Sequence, residues 1–427
     1  MTTAADEPAP SPETHGLSLA PFRALRPTVD NARLATMLCP PYDVIDADLR
    51  ASLLATDPDN AVAVVLPDQT DEGYAGAGER LRRWVNDGLF AVDPAEQLYV
   101  YEMREADGGT TRGLIGAVEL RDPADDVILP HENTMAGPVA DRLAVMTATD
   151  ADLEPIYLVY DGGGAASELV RRIGDEAPIA KTTTGDGVTH RLWCVDDAGD
   201  HAAVAADLNG RKAMIADGHH RYATYRERQR LSTDERGHGP WDRGLALLVD
   251  TSEYGPQVHA IHRAITGLTI VGAVAGLDGL ASATEATSQA DALAAIESID
   301  GFAVALTDGH RSFVVTDPAG TLAAAASRPG DPPALDGLDV TLVHRGMVER
   351  AWTLADDVDT VSYAHTVVDA RALARAHDGI AVLLRPTPVS SVAAVAAAGG
   401  RMPRKSTLFT PKPASGLVVR RLADQRE

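Results

Sequence analysis

The stretch "AMIADGHHRYATYRERQR", residues 213–230, constrains the fold more than any other part of the chain. A short apolar run of strand type leads into a sharp Asp-Gly turn, and the turn leads into a segment that is typical of a helix. This order leaves the first backbone N–H groups of the helix unpaired, at the positive end of its dipole. The sequence therefore predicts a strand-turn-helix unit whose helix start suits a phosphate or a carboxylate.

Four side chains of this unit are candidates for binding. His219, His220 and Arg221 fall in the first helical turn, and Arg221 can offer a forked pair of donors to an anion. Asp217 either caps the helix or reaches a phosphate through a bound Mg²⁺. The alternative is an ordinary surface helix, in which Asp217 caps, one histidine packs in the core and Arg221 pairs with an acid. Three donors at one helix start in an acidic chain favour the anion site. Adjacent histidines lack the spacing of a zinc-ligand pair.

The charge of the chain limits its partners. The formal net charge is −24, from 38 Lys+Arg against 62 Asp+Glu. We therefore expect no binding to nucleic acid and none to an anionic membrane surface. Two cysteines, Cys39 and Cys194, provide neither a disulfide framework nor a four-thiolate zinc site. The acidic N-terminus lacks the pattern of a signal peptide, and no apolar run is long enough to cross a bilayer. These features predict a cytoplasmic protein.

The order of predicted elements favours a mixed α+β fold over a doubly wound sheet. We expect a disordered tail at 1–16, an N-terminal α/β region at 17–125, a central region at 126–270 and a C-terminal α/β region at 271–427. Three local predictions are specific. The β-branched run at 60–67 indicates a buried strand, 140–149 a helix, and 257–265 one further core strand.

The stretch "LPHENTMAGPVADR", residues 129–142, is a second candidate for chemistry. His131 and Glu132 precede a Gly-Pro loop, and Asp141 and Arg142 follow it. A carboxylate beside a histidine on a loop is a plausible general base. Ordinary loop polarity, with an Asp-Arg pair at a helix start, explains the pattern equally well.

A third candidate is the basic loop at 401–412, "RMPRKSTLFTPK". It contains two of the four lysines of the chain, Lys405 and Lys412. A lysine on such a loop could close over an acidic ligand. The alternative is a basic terminal hairpin.

Taken together, these motifs resemble the prokaryotic family known as domain of unknown function 1015. The resemblance extends from "PFRALRP" near residue 21, through "CPPYDVID", "LPHENTMAGPVADRL" and "IADGHHRYATY", to "MPRKSTLFTPKPASGLV" near residue 418. It covers nearly the whole chain. The chain departs from the family pattern near 148–155, where "ATDADLEP" replaces the expected Asn-x-Ser-Pro.

A more local resemblance concerns residues 215–224. "IADGHHRYAT" is similar to the turn and helix of the ParB and sulfiredoxin superfamily, which includes free-serine kinases. The resemblance implies a ParB/sulfiredoxin-like core element with additional mixed-sheet regions. It also implies that Gly218, His219, His220 and Arg221 hold nucleotide phosphates.

These observations lead to a functional hypothesis. The chain is expected to be a phosphotransferase that uses ATP or ADP, with Mg²⁺ at Asp217, to act on a small polar metabolite such as serine. Glu132 would take the proton of the acceptor hydroxyl, with His131 and Asp217 as the other catalytic candidates. Arg142 and Lys405 would neutralise developing charge. The alternative is a non-catalytic protein that senses a nucleotide or a phosphorylated metabolite.

Overall fold

The computed structural model of the protein describes residues 16–425. The predicted tail at 1–16 therefore lies outside the described residues except for Gly16. That glycine belongs to the folded part, because it is buried and a Cβ there would stand 2.3 Å from the carbonyl oxygen of Asn209.

Short strands and helices alternate along the described chain. The strands are β1 (Leu19–Ala20), β2 (Leu25–Pro27), β3 (Phe90–Val92), β4 (Leu98–Arg104), β5 (Thr110–Glu119), β6 (Ile128–Leu129), β7 (Ala151–Asp152), β8 (Ile156–Tyr160), β9 (Ala180–Thr183), β10 (Thr189–Val195), β11 (Ala213–Asp217), β12 (Arg243–Asp250), β13 (Gln257–His259), β14 (His262–Ile265), β15 (Ser282–Ala286), β16 (Ala303–Thr307), β17 (Ser312–Thr316), β18 (Val361–Ala364), β19 (Ile380–Leu383), β20 (Leu408–Thr410) and β21 (Arg420–Arg421).

The α-helices are α1 (Asn31–Met37), α2 (Ala47–Thr56), α3 (Val62–Val65), α4 (Asp71–Asn86), α5 (Ala136–Thr149), α6 (Ala165–Gly174), α7 (Ala198–Leu208), α8 (His219–Arg236), α9 (Ile270–Gly276), α10 (Gln289–Glu297), α11 (Thr321–Ala326), α12 (Pro333–Asp336), α13 (Asp339–Thr341), α14 (Val367–Ala376) and α15 (Val389–Ala397). Leu342–Ala351 forms a π-helix. Single 3₁₀ turns lie at Tyr42–Val44, Pro123–Asp125, Pro240–Asp242 and Leu422–Gln425.

Two large sheets organise these elements, one of them mixed and the other antiparallel. The larger sheet has the order β6-β11-β8-β12-β5-β4-β10-β9, with β1 added beside β5. Its parallel pairs are β6 with β11 and β8 with β12, and its other pairs are antiparallel. The smaller sheet, β15-β17-β16-β19-β14-β18, is antiparallel throughout. The mixed α+β class predicted from the sequence is confirmed.

The sheets share a hydrophobic core. On β12, Leu247 belongs to a hydrophobic cluster that also contains Leu306 of the smaller sheet. Its neighbour Leu248 is on the opposite face of the larger sheet and packs with residues of α6, α7 and α8. The smaller sheet alternates in the same way, since Ala305 faces a separate cluster that includes residues of α10 and α14. This alternation follows from the two-residue period of a strand. Helix α8 is thus held on the outer face of the larger sheet.

Three local predictions are corrected by the structure. Residues 62–65 form the short helix α3 rather than a strand, because the Asn60 side chain accepts the Val62 N–H at 2.9 Å and the valines are buried among helices. Helix α5 begins at Ala136, four residues earlier than expected, because proline is tolerated in a first helical turn. The predicted strand 257–265 is interrupted: β13 pairs with β20, whereas β14 enters the smaller sheet.

The chain crosses between the predicted regions. The larger sheet takes strands from both sides of residue 125, and β20 and β21 near the end of the chain pair with β13 and β7. The predicted region boundaries remain a prediction. Within residues 16–425, no helix combines the length and the apolar character that crossing a membrane requires.

Candidate active site

The candidate site begins where β11 ends at Asp217. Gly218 follows with φ of 92°, in the left-handed region, and α8 begins at His219. A Cβ at Gly218 would also stand 3.0 Å from Nε of Arg221, so glycine fits the turn for two reasons. No side chain caps the start of α8. The predicted strand-turn-helix unit is confirmed, whereas the expected cap by Asp217 is not formed.

The Asp217 carboxylate is committed to two cations. Its Oδ1 accepts from Nζ of Lys412 at 2.6 Å, and its Oδ2 pairs with the guanidinium of Arg221. Burial alone would raise the pKa of Asp217, but the charges of Lys412 and Arg221 hold it below its ordinary value. Asp217 is therefore an anion that anchors two cations.

Lys412 connects the turn to a distant loop. Its ammonium group lies between Asp217 and Asp43, with Nζ 3.1 Å from Oδ2 of Asp43. Burial would lower the pKa of Lys412, but the two carboxylates raise it above its ordinary value, so the side chain is charged at neutral pH. The ammonium occupies the position between two carboxylates that a divalent cation would need. Among residues 16–425, no group of three His, Cys, Asp or Glu side chains could hold a metal ion. The residues around Asp217 therefore do not fit the expected Mg²⁺ site.

Arg221 is buried and its forked donors are directed at the protein. One Nη donates to the carbonyl of Pro155 and the other pairs with Asp217, and the side chain is only 1% exposed. Burial would lower its pKa, but Asp217 and Glu154 raise it, so the charge is permanent. In this conformation Arg221 fixes the turn rather than facing open space. Its predicted role in binding phosphate remains a prediction.

The two histidines of α8 fasten the loop that carries Glu132. Nε2 of His219 accepts the backbone N–H of His131 at 3.3 Å, and Nε2 of His220 accepts that of Met135 at 3.1 Å. The rings of His131 and His219 meet edge to face, 4.5 Å apart. Burial lowers the pKa of His131 and that of His219 to about 3, so both rings are neutral at physiological pH. Burial also lowers the pKa of His220.

Glu132 and Lys405 are joined through the backbone. Oε1 of Glu132 accepts the N–H of Lys405 at 2.9 Å, and Lys405 has a left-handed φ of 53°. Within residues 16–425, Oε2 of Glu132 makes no hydrogen bond. The Lys405 side chain is exposed. The segments 129–142 and 401–412 are also joined by the Met402 N–H, which donates to the carbonyl of His131 at 2.8 Å, and by Nε2 of His131, which lies 3.2 Å from Oγ1 of Thr407.

Arg142 is near these residues but is buried beneath them. It pairs with Asp141 at 2.7 Å, donates to the carbonyl of Val65 and lies 4.0 Å above the ring of Tyr42. The Tyr42 N–H in turn donates to Glu154 at 3.0 Å. Arg142 thus supports the 3₁₀ turn that presents Asp43. The role of Arg142 in neutralising charge on a ligand remains a prediction.

A cavity of about 670 Å³ runs along α8, from His219 at its start to Asp234 in its last turn. Glu132 and His219 line it, together with Thr134, Tyr222 and Arg401. Its size suits a nucleotide-sized or smaller ligand. Asp217, Arg221 and Lys405 do not line this cavity, and Arg221 is buried, so the predicted site residues do not all belong to one pocket.

Sequence reasoning did not assign Asp43, Glu154 or Lys412 to the site. Their motifs were visible as "CPPYDVID", "DLEP" and "TPK", but each meets the turn only through the tertiary fold. Lys412 could have been suspected, because lysine is so rare in this chain. Nothing in the sequence pairs it with Asp217.

The fold and the site define an α+β protein with a charged cleft at the start of a helix that follows a sheet strand. The chain belongs to the family described as "Protein of unknown function (DUF1015)", whose profile matches residues 19–341. The family membership predicted from the motifs is confirmed.

Solved structures provide further similarities of low identity. A conserved hypothetical protein from Pyrococcus furiosus is 15% identical with a TM-score of 0.34, covering 70% of this chain and 94% of its own. SbnI with a C-terminal truncation, from Staphylococcus aureus, is 11% identical with a TM-score of 0.39, covering 73% and 90%. A free serine kinase in complex with AMP is 17% identical with a TM-score of 0.33, covering 70% and 90%. No curated protein matches the chain.

Proposed function

We propose that this protein is a nucleotide-dependent phosphotransferase that acts on a small polar metabolite such as serine. The observation that carries the proposal is that the loop 401–412 meets two distant segments: Lys412 pairs with Asp217 just before α8, 195 residues away, and the Lys405 N–H donates to Glu132, 273 residues away. The exposed Lys405 side chain and the uncapped start of α8 offer positive charge there, whereas Lys412 and Arg221 are balanced by Asp43 and Asp217. The local resemblance to free-serine kinases suggests the substrate class.

In this proposal, the nucleotide phosphates bind at the N–H groups that open α8, where the helix dipole favours negative charge. Lys405, whose side chain is exposed, neutralises charge that develops on the transferred group. Asp217 is occupied by Lys412 and Arg221, so any Mg²⁺ would arrive on the nucleotide rather than at that carboxylate. The cavity beside Glu132 and His219 accommodates the remainder of a ligand.

The transfer itself needs one proton acceptor. The Glu132 carboxylate takes the proton of the acceptor hydroxyl as the hydroxyl oxygen forms a bond to phosphorus. The bond from phosphorus to the leaving oxygen of ATP or ADP breaks, and the shortened nucleotide departs with that electron pair. His131 is a poorer candidate, because burial lowers its pKa to about 3 and its ring is packed against His219.

The test measures binding and turnover separately. ATP, ADP and AMP are added to the protein, and the shift in melting temperature is recorded, because a ligand selective for the native state raises Tm. Phosphorylated products of serine and related alcohols are then followed by phosphorus NMR. We expect a Tm increase and a phosphorylated product. Absence of both overturns the proposal. Nucleotide binding without a phosphorylated product in the presence of Mg²⁺ also overturns it and supports the alternative, a non-catalytic protein that senses a nucleotide.

A matched pair of lysine variants locates the site. Lys405→Met, which removes the exposed lysine beside Glu132, should abolish most of the nucleotide-induced shift in Tm, measured from the variant's own baseline. Lys181→Met removes an exposed lysine on β9, an edge strand of the larger sheet, and should leave the shift unchanged. Equal responses from the two variants would place the nucleotide elsewhere.

A further inference from the structure

A buried arginine of the smaller sheet contacts the loop that carries Lys405. Arg263 on β14 is 1% exposed and makes no direct ion pair with a carboxylate in the described part of the chain. Burial lowers its pKa to about 10, so it remains charged at neutral pH. A buried charge without an adjacent counterion is costly unless its donors are used. The destinations of those donors therefore indicate its role.

Arg263 donates to two consecutive backbone carbonyls of the loop, which flank the Cα of Lys405. Its Nη2 lies 3.0 Å from the carbonyl oxygen of Lys405 and 3.3 Å from that of Arg404, and its Nη1 donates to the carbonyl of Ile261. Lys405 has a left-handed φ of 53°, which costs about 1 kcal/mol for a residue with a Cβ. The contacts with Arg263 favour this conformation.

A histidine and an aspartate complete the chain of contacts. The Nε–H of Arg263 donates to Nε2 of His344 at 3.0 Å, so the proton of that ring is at Nδ1, which lies 3.0 Å from Oδ1 of Asp356. His344 belongs to the π-helix Leu342–Ala351, a type of helix that is rare and often marks functional sites. The negative charge of Asp356 thus reaches Arg263 through a neutral imidazole.

We propose that Arg263, supported by His344 and Asp356, is a positioning residue that sets the backbone of Lys405. This backbone directs the Lys405 N–H at Glu132 and its side chain into solvent beside the start of α8. The functional consequence rests on the proposed phosphotransferase, in which Glu132 and Lys405 act. The positioning itself does not depend on that function.

Hydrogen exchange of a peptide covering 401–412 tests the positioning directly. In Arg263→Gln, the Lys405 amide should lose its bond to Glu132, and its exchange should accelerate at least tenfold. Arg385→Gln is the control, because Arg385 also donates to backbone carbonyls, but to those of Ile299 and Gly301, about 100 residues before the tested loop. Equal acceleration in both variants, or none in Arg263→Gln, would overturn the proposal.

Asp356→Asn provides a second test should Arg263→Gln fail to fold, because Asp356 is partly exposed and outside the core. Asp356 also lies 3.8 Å from Nη2 of Arg404 in the same loop, so Arg404→Gln is measured beside it. Faster exchange at the Lys405 amide in Asp356→Asn than in Arg404→Gln supports the chain of contacts through His344, and equal or unchanged exchange overturns it.

Kinetics of the same variants separate positioning from general damage. If the parent transfers phosphate, Arg263→Gln should lower kcat at least tenfold with nucleotide affinity changed less than threefold, and Arg263→Lys should recover part of kcat. A parallel loss of affinity and kcat would indicate general damage and count against the proposal. If the parent neither binds nor transfers, the proposed function fails, while the exchange result still decides the positioning.

Discussion

At the residue scale, Asp217 shows how one carboxylate can hold together two cations from distant parts of the chain. The sequence identified Asp217 as important but assigned it to a helix cap or a metal. Its partners are Arg221, four residues away, and Lys412, which is 195 residues away. The first pairing was within reach of sequence reasoning, since residues four apart are neighbours around a helix start. The second depends on the return of the C-terminal segment and could not be predicted from local pattern.

Neutralising Asp217 should be costly. Asp217→Asn leaves Lys412 with Asp43 alone and Arg221 without its carboxylate, so we expect a loss of roughly 3 kcal/mol in the free energy of unfolding. Urea unfolding at pH 7 measures it. Asp126→Asn, which removes a surface pair with Lys212, is the control and should cost less than about 1 kcal/mol. Comparable losses from both variants would contradict the account of a buried, committed carboxylate.

The buried histidines predict an acid-sensitive fold. The pKa of His219 is lowered to about 3 in the folded protein, against about 6.5 in the unfolded chain. Below pH 6.5 the unfolded chain binds a proton that the native state does not, so stability is present above that pH and is lost as pH falls towards 3, by about 1.4 kcal/mol per pH unit for each such histidine.

Urea unfolding at pH 7.5 and pH 5 checks this pH dependence. His219→Gln, which can still accept the His131 N–H, should lose less stability than the parent between the two pH values. The exposed His238 is the control, and His238→Gln should behave as the parent does. An identical pH dependence in parent and His219→Gln would show that this histidine does not titrate as described.

At the element scale, the strand-turn-helix unit was predictable because every local signal agrees. The apolar run, the glycine and the helix-forming segment each favour the same structure, and β11, Gly218 and α8 follow it. The strand predicted at 60–67 was wrong, because a run of β-branched residues indicates burial as strongly as it indicates a strand. Asn60 decides the outcome by starting a helical turn, and a single hydrogen bond of this kind has no clear sequence signature.

The two glycines that bound α8 provide a matched comparison. Gly218→Ala meets both a left-handed φ and the Arg221 guanidinium, so we expect a loss of roughly 2 kcal/mol and weaker nucleotide binding. Gly237→Ala, at the other end of the helix, has φ of 74° but no atom within 4 Å of the added Cβ, and should cost roughly 1 kcal/mol with binding unchanged. Thermal unfolding and calorimetry measure the two effects. Equal losses of binding would show that the turn is not the ligand site.

At the scale of the whole molecule, the shared core joins what the sequence divided into regions. Residues of both sheets belong to one hydrophobic cluster, and the C-terminal segment delivers Lys405 and Lys412 to the start of α8. Local pattern indicates which residues are buried but not which sheet they meet. The site could therefore be predicted as far as its individual motifs, and its assembly could not.

This shared core predicts a single cooperative unfolding transition. Peptides from β12 and β16 should lose protection against hydrogen exchange at the same urea concentration. Leu306→Ala should lower the free energy of unfolding by roughly 2–5 kcal/mol. The urea midpoints of the two peptides should therefore fall together. Val368→Ala, at an exposed position, should change neither. Earlier loss of protection in β16 than in β12 would contradict a common core.

The central claim is that Glu132 is the proton acceptor in a phosphoryl transfer at the start of α8. The turnover of Glu132→Gln tests it most directly, because glutamine keeps the size and the acceptor for the Lys405 N–H but does not take a proton. Glu227→Gln is the control, since Glu227 lines the same cavity. We expect turnover to fall by roughly 10²–10⁴ in Glu132→Gln with nucleotide affinity nearly unchanged, and to stay at the parent's level in Glu227→Gln. Turnover within a few-fold of the parent in folded Glu132→Gln would contradict the claim.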